Sequence, residues 1–151
     1  TLSLVIMMFV PSITFGNVID KLNEAGKFNK LNETLTKSGL NENLKGAGPF
    51  TVFAPLDDAF AAISAKTYYG LLRDENKDKL VNILGRHVFS KKISSSEIDG
   101  EVKLKAINGE EITIKKVNGI VYINEAEVVT ADLEVSNGVI HYINRVLQPL
   151  K

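Results

Sequence analysis

The sequence predicts an α+β domain, and three observations carry that reading. Apolar residues recur at helical spacing through the first half. They alternate with polar residues through the last third. Three Asn-Gly pairs, at Asn108-Gly109, Asn118-Gly119 and Asn137-Gly138, punctuate the alternating part. Asn-Gly between alternating runs is a strong signal for a tight hairpin. Helices crowded first and strands gathered last is the pattern of an α+β fold.

The elements follow in order. Asn17 is a helix N-cap, with Val18, Ile19 and Leu22 on the apolar face behind it. A second helical pattern runs through Phe28, Leu31 and Leu35 and ends at Gly39, a C-terminal cap. Leu40 and Leu44 suggest one more short turn, and Gly46-Ala47-Gly48-Pro49 breaks the chain. Phe50-Thr51-Val52-Phe53 is a short strand stopped by Pro55. Asp57 and Asp58 then open a helix through Ala59 to Ile63, an acidic start that the helix dipole favours. Tyr68, Tyr69, Leu71 and Leu72 form a further apolar cluster. Asp74 or Asn76 caps the next helix, whose face carries Leu80, Ile83, Leu84 and His87. Ser94 to Glu97 is a loop or a capped turn. Strands follow at Val102–Ala106, Ile112–Val117, Ile120–Ile123, Val128–Thr130 and Val139–Ile143.

The chain has 151 residues, the size of one domain. Its 18 basic and 18 acidic residues leave no net charge, so no strong field draws it to nucleic acid. With no cysteine, disulfides, thiolate metal sites and thiol nucleophiles are excluded. Residues 1–16 open with an apolar run, TLSLVIMMFVPSITF, short of a membrane-spanning helix. Thr14 and Gly16 are small residues two apart, as at the end of a secretory signal peptide cleaved after Gly16. A buried first element and a retained membrane anchor are the alternatives. The domain proper is expected over 17–151.

Three stretches resemble the fasciclin-like domain family. They are Gly48-Pro49-Phe50-Thr51-Val52-Phe53-Ala54-Pro55-Leu56-Asp57-Asp58-Ala59-Phe60, then Asn76 through Leu84 to His87-Val88, then Ser136-Asn137-Gly138-Val139-Ile140-His141-Tyr142-Ile143. The resemblance covers Asn17 to Pro149. It implies a wedge of two packed β-sheets with helices covering one side. It marks Thr51, Phe53, Pro55, Asp57, Asp58, Phe60, His87, Asn137, Gly138 and His141 as structural motif residues. It also implies an extracellular, surface or periplasmic adhesion module with no cofactor and no reaction. Two residues depart from the family pattern. Leu56 replaces a polar Thr or Ser, and Arg86 replaces a Tyr before His87, in a region that animal members use for integrin contact. The family's other contact pair, an Asp-Ile, corresponds to Asp132 and Leu133. Asp132, Leu133, Arg86 and His87 are therefore the candidate partner-binding residues. The partner expected is an extracellular protein or polysaccharide, with self-association as a further option and membrane contact only through the leader.

Residues with catalytic potential are few. His87 and His141 are the only histidines, and they lie far apart. His141 shares a strand face with Val139 and Ile143, so a hydrogen-bonded core imidazole is preferred over a zinc ligand or general base. His87 ends an apolar helix face and reads the same way. Asp57-Asp58 reads as a helix start and Glu110-Glu111 as a solvated hairpin end, rather than as glycosidase carboxylates. Lys103, Lys105, Lys115 and Lys116 form either a basic strip for an anionic polysaccharide or edge-strand protection against aggregation, and the latter is preferred. Adhesion is the leading function. A hydrolase of a cell-wall or matrix polymer and a structural oligomer are the alternatives.

Overall fold

A computed structural model describes residues 16–147. The leader expected over 1–16 lies outside the described residues apart from Gly16. Among the described residues, no helix is long and apolar enough to cross a membrane.

Helices fill the first half. They are α1 (Val18–Ala25), α2 (Asn29–Ser38), α3 (Leu40–Asn43), α4 (Asp57–Phe60), α5 (Ala65–Leu71) and α6 (Lys77–Gly85). Asn17 caps α1 through a reciprocal box with Asp20, satisfying two donors that a helix start would otherwise leave unpaired. Gly26 and Gly39 end α1 and α2 at positive φ, 70° and 84°, which glycine adopts without a Cβ penalty. The helix begun by Asp57 is one turn, shorter than its apolar run suggests. Its N-cap is Leu56, with no side-chain cap.

The strands are β1 (Phe50–Pro55), β2 (Val88–Phe89), β3 (Glu101–Lys105), β4 (Glu111–Val117), β5 (Ile120–Ile123), β6 (Ala126–Val135) and β7 (Gly138–Ile143). They hydrogen-bond in the order β2-β1-β7-β6-β5-β4-β3. The β1–β7 pair is parallel and the other pairs are antiparallel. Two sheets share β6, whose start pairs with β5 and whose remainder pairs with β7. Two register shifts bend β6, one between Val128 and Thr130 and one between Thr130 and Leu133. Such bulges turn a strand, and here they let one strand serve both sheets.

The alternation of β1 and β7 divides the core in two. Val52, Ala54, Ile140 and Tyr142 face the helices and meet Leu22, Phe28, Leu31 and Leu80. Phe53 and Ile143 face the other way, into the wedge, and meet Phe89, Ile112, Ile114, Val121, Ile123 and Val128. Covered on both faces, β1 and β7 are buried almost throughout, as a parallel pair requires.

Candidate binding surface

His141 projects into the wedge. Its ring stacks on Phe53, centroids 4.9 Å apart and planes 21° apart. The second bulge of β6 sets Ala131 and Asp132 against this one residue, and the freed Asp132 N–H donates to Nδ1 at 3.1 Å. With Nδ1 accepting, Nε2 carries the proton and donates to the Ile93 carbonyl at 2.7 Å. His87 shows the opposite tautomer. Leu147 N–H donates to its Nε2 at 2.9 Å, so Nδ1 donates to the Ile83 carbonyl at 3.0 Å. Burial pushes His87 down to about 4, and burial also lowers His141. Both imidazoles are neutral near pH 7, with both nitrogens committed to backbone.

Asp132 adopts φ 63°, the left-handed region that Asp tolerates better than most residues. Its carboxylate accepts from Ser95 N–H at 2.8 Å and from the Ser95 hydroxyl. Partial burial works to raise the carboxyl, but the two Ser95 bonds outweigh it and hold Asp132 below its ordinary value. Leu133 packs, half-buried, against the helix-side core. Asp132 thus faces the Ser94–Glu97 turn, while Leu133 turns inward.

Arg86 and His87 lie inside the protein, 7% and 1% exposed. The Arg86 guanidinium pairs with Glu110 at 2.6 Å, joining the end of α6 to the β3–β4 turn. Its Nε is buried with no hydrogen-bond partner. Beside this pair an open cleft of about 260 Å³ is lined by Asp78, Val81, Asn82, Gly85, Ile107 and Asn108. The Arg86–His87 pair and the Asp132–Leu133 pair are held by separate hydrogen-bond networks.

The other motif residues hold segments together. Thr51 donates to the Lys91 carbonyl at 2.5 Å and accepts from Ile93 N–H at 2.8 Å. Asp57 does not cap its own helix. Its carboxylate accepts from Lys30 N–H at 2.9 Å and Asn29 Nδ2 at 3.0 Å, capping α2 from across the chain. Asn137 ties three segments: Oδ1 accepts from Val18 N–H at 3.0 Å, and Nδ2 donates to Leu44 and Gly46 carbonyls at 2.7 and 2.8 Å. Gly138 leaves room for the backbone of β1, since an added Cβ would collide with the Phe50 carbonyl. Phe60 and Pro55 are buried where α4 and β1 meet the core.

The lysines divide. Lys103, Lys105 and Lys115 share one sheet face, where Lys115 lies opposite Glu101 and Lys105 opposite Glu111. Lys116 turns the other way and donates to the Ser95 carbonyl at 3.2 Å. The strip therefore carries both signs of charge.

A second cleft escaped the sequence reading. It is open, about 650 Å³, and lined by Asn29, Asn32, Glu33, Thr36, Lys37 and Leu72. Tyr69 stands one turn before Leu72 and is 57% exposed. Tyr68 meets its ring edge-on at 5.1 Å, and Lys30 Nζ lies 5.6 Å from its centre. Positions 29, 32, 33 and 36 form the polar face of α2, which reads in sequence as an ordinary solvated face.

The comparisons with known proteins agree with one another. A family model described as the Fasciclin domain matches residues 26–149. The chain is 47% identical over 123 residues to Protein sll1483 of Synechocystis, covering 81% of this chain and 67% of that protein. It is 37% identical over 134 residues to transforming growth factor-beta-induced protein ig-h3 of Sus scrofa, covering 89% of this chain but 19% of ig-h3. The structure is similar to a FAS1 domain pair from the insect cell adhesion molecule Fasciclin I, with TM-score 0.79 and 21% identity, covering 91% of this chain and 52% of that one. At that identity the likeness shows the fold, and the seven strands among the described residues, with helices on one side, match it. The chain belongs to the fasciclin domain family.

Proposed function

We propose that this chain is a non-catalytic adhesion module working outside the cytoplasm, where it recognises a protein or polysaccharide at a cell surface or in a matrix. One observation carries the reading: every imidazole nitrogen is committed to backbone, while the open clefts are lined by amides, single carboxylates, a hydroxyl, one lysine and apolar side chains, with no histidine among them. Family membership and the likeness to a domain pair of a cell adhesion molecule support it. A hydrolase would need a free imidazole or a carboxylate pair converging in a cleft. Here Asp57 is spent on α2, and Glu110 on Arg86.

Contact through Asp132 and Leu133 belongs to this proposal as its most specific element. A partner would have to compete with Ser95 for the carboxylate. The test is adhesion of cells, and capture of matrix proteins and polysaccharides, on immobilised protein, comparing wild type with Asp132→Ala. Specific capture supports the module. Turnover of an offered polymer, or capture of nothing, would overturn it. Unchanged capture by Asp132→Ala would remove that residue as a contact.

A further inference from the structure

The outer face of β4, β5 and β6 is open. Alternation turns Ile114, Val121, Ile123 and Val128 into the wedge and leaves their neighbours outward. Two rows cross that outward face. In one, Lys115, Tyr122 and Glu127 stand directly opposite one another on successive strands. In the other, Val117 stands opposite Ile120, and Val129 lies two residues beyond Glu127 on β6. Among the described residues five large apolar side chains are exposed. Three of them, Val117 at 46%, Ile120 at 39% and Val129 at 48%, share this face. Scattered singly they would carry no meaning, but gathered beside a charged row they mark a contact surface.

We propose that this face is a weak homodimer contact, on which a second copy packs its own β4–β6 face across a two-fold axis running along β5. Charge chooses both the occupant and the axis. Lys115 and Glu127 flank Tyr122 from the strands on either side, about 10 Å apart, too far to pair within one chain. Glu101 lies opposite Lys115, yet neither Lys115 nor Glu127 makes an ion pair among the described residues. Rotation about an axis parallel to β5 lays β4 of one copy over β6 of the other. Lys115 then meets Glu127 of the second copy, and symmetry makes that contact twice. Val117 meets Val129 in the same way, while Ile120 and Tyr122 meet their own counterparts on the axis. A two-fold axis across the strands would instead set lysine over lysine and glutamate over glutamate, which repel. Sheets stacked about 10 Å apart with their strands nearly aligned are an ordinary packing.

The contact is small. Three strands spaced about 4.8 Å apart, each offering two or three outward residues, cover a few hundred Å² per copy, below the roughly 800 Å² per partner of a standard interface. The dimer is therefore transient, with a dissociation constant on the order of 0.1–1 mM. It goes beyond the adhesion reading and does not depend on it.

The test is sedimentation velocity and ¹⁵N NMR of the full chain from about 20 µM to about 2 mM, a range that brackets such a constant. The expected result is a rising sedimentation coefficient with concentration-dependent shifts on β4, β5 and β6. Lys115→Glu and Glu127→Lys should each raise the dissociation constant about tenfold or more, since each sets two like-charge pairs where two opposite pairs stood. Mixed in equal amounts, the two variants should associate at least as tightly as wild type, because every charged contact across the axis is again lysine against glutamate. The double variant should recover association for the same reason. Both side chains point outward, so the variants should fold, and their dilute spectra check this. No change up to about 2 mM overturns the inference. So does association that maps to another surface or survives either single swap. Single swaps that weaken association without restoration in the mixture also overturn it, because this axis requires restoration. Each of these outcomes leaves the adhesion reading standing, since that rests on capture of other molecules.

Discussion

Asp132 and His141 meet across a bulge in β6, the Asp132 N–H donating to His141 Nδ1 at 3.1 Å. The contact exists only while the imidazole is neutral. A proton on Nδ1 would set two N–H groups against each other. His87 stands in the same relation to Leu147, whose N–H occupies Nε2. The two histidines of the family motifs are thus receivers of backbone hydrogen bonds, one in the wedge and one at the end of α6.

Stability should fall as the solution is acidified below neutral. Both folded values lie below the ordinary His value near 6.5, with His87 at about 4. The unfolded chain therefore takes up protons first. The stabilisation is complete above about pH 6.5 and is lost as pH falls towards 4. For His87 alone the full window is about 3 kcal/mol, at roughly 1.4 kcal/mol per pH unit. Urea denaturation in steps from about pH 7 to about pH 4 measures it. A His87→Gln variant should be less stable at pH 7 and show a shallower loss. An equal slope in both proteins would reject the assignment.

Asn137→Ala should be severely destabilising, by about 3 kcal/mol. It removes three hydrogen bonds at buried or part-buried groups, each worth about 1 kcal/mol, and leaves two carbonyls and one N–H behind. Asn137→Asp should be nearly as costly, because its carboxylate has no donor for the Leu44 and Gly46 carbonyls. Thermal and urea unfolding check both, and a loss under about 1 kcal/mol would mean that water replaces the amide.

Much of this fold was legible where its signals are local. Asn17, Gly39 and the Asn118-Gly119 turn each declare a cap or hairpin within a few residues, and each is found there. The elements that escaped depend on distant partners. Val88-Phe89 is a strand only because β1 lies beside it, and in sequence it looks like a helix end. β6 runs on to Val135, past the expected Val128–Thr130, because two bulges reset its facing and hide its alternation. Asp57 was legible as a cap but not as a cap for α2. For the candidate sites, the motif histidines announced their burial through their apolar neighbours. The cleft lined by α2 and Leu72 announced nothing, since it forms only when the segment that ends α5 folds against α2.

Arg86 and Glu110 should respond unequally to mutation. Glu110→Ala leaves a guanidinium buried without its carboxylate, and its Nε is already unpartnered. Arg86→Met removes the buried charge, and the half-exposed Glu110 can turn to water. The first change should cost about 2 kcal/mol and the second about 1 kcal/mol or less, the order expected when desolvation rivals attraction. Equal losses in a double-mutant cycle would instead indicate that the pair itself supplies most of the stabilisation.

Asp57→Ala should cost about 1 kcal/mol, the usual loss of a helix cap, and should act at a distance from the mutation. The carboxylate serves Lys30 N–H and Asn29 at the start of α2, while α4 starts at Leu56 without it. Phe28, the N-cap residue of α2, has no side chain able to substitute. Hydrogen exchange should therefore quicken at the first turn of α2 and change little in α4. Asp57→Asn should recover part of the loss, because a carboxamide oxygen can still accept from Lys30. Quickened exchange confined to α4 would place the cap on its own helix after all.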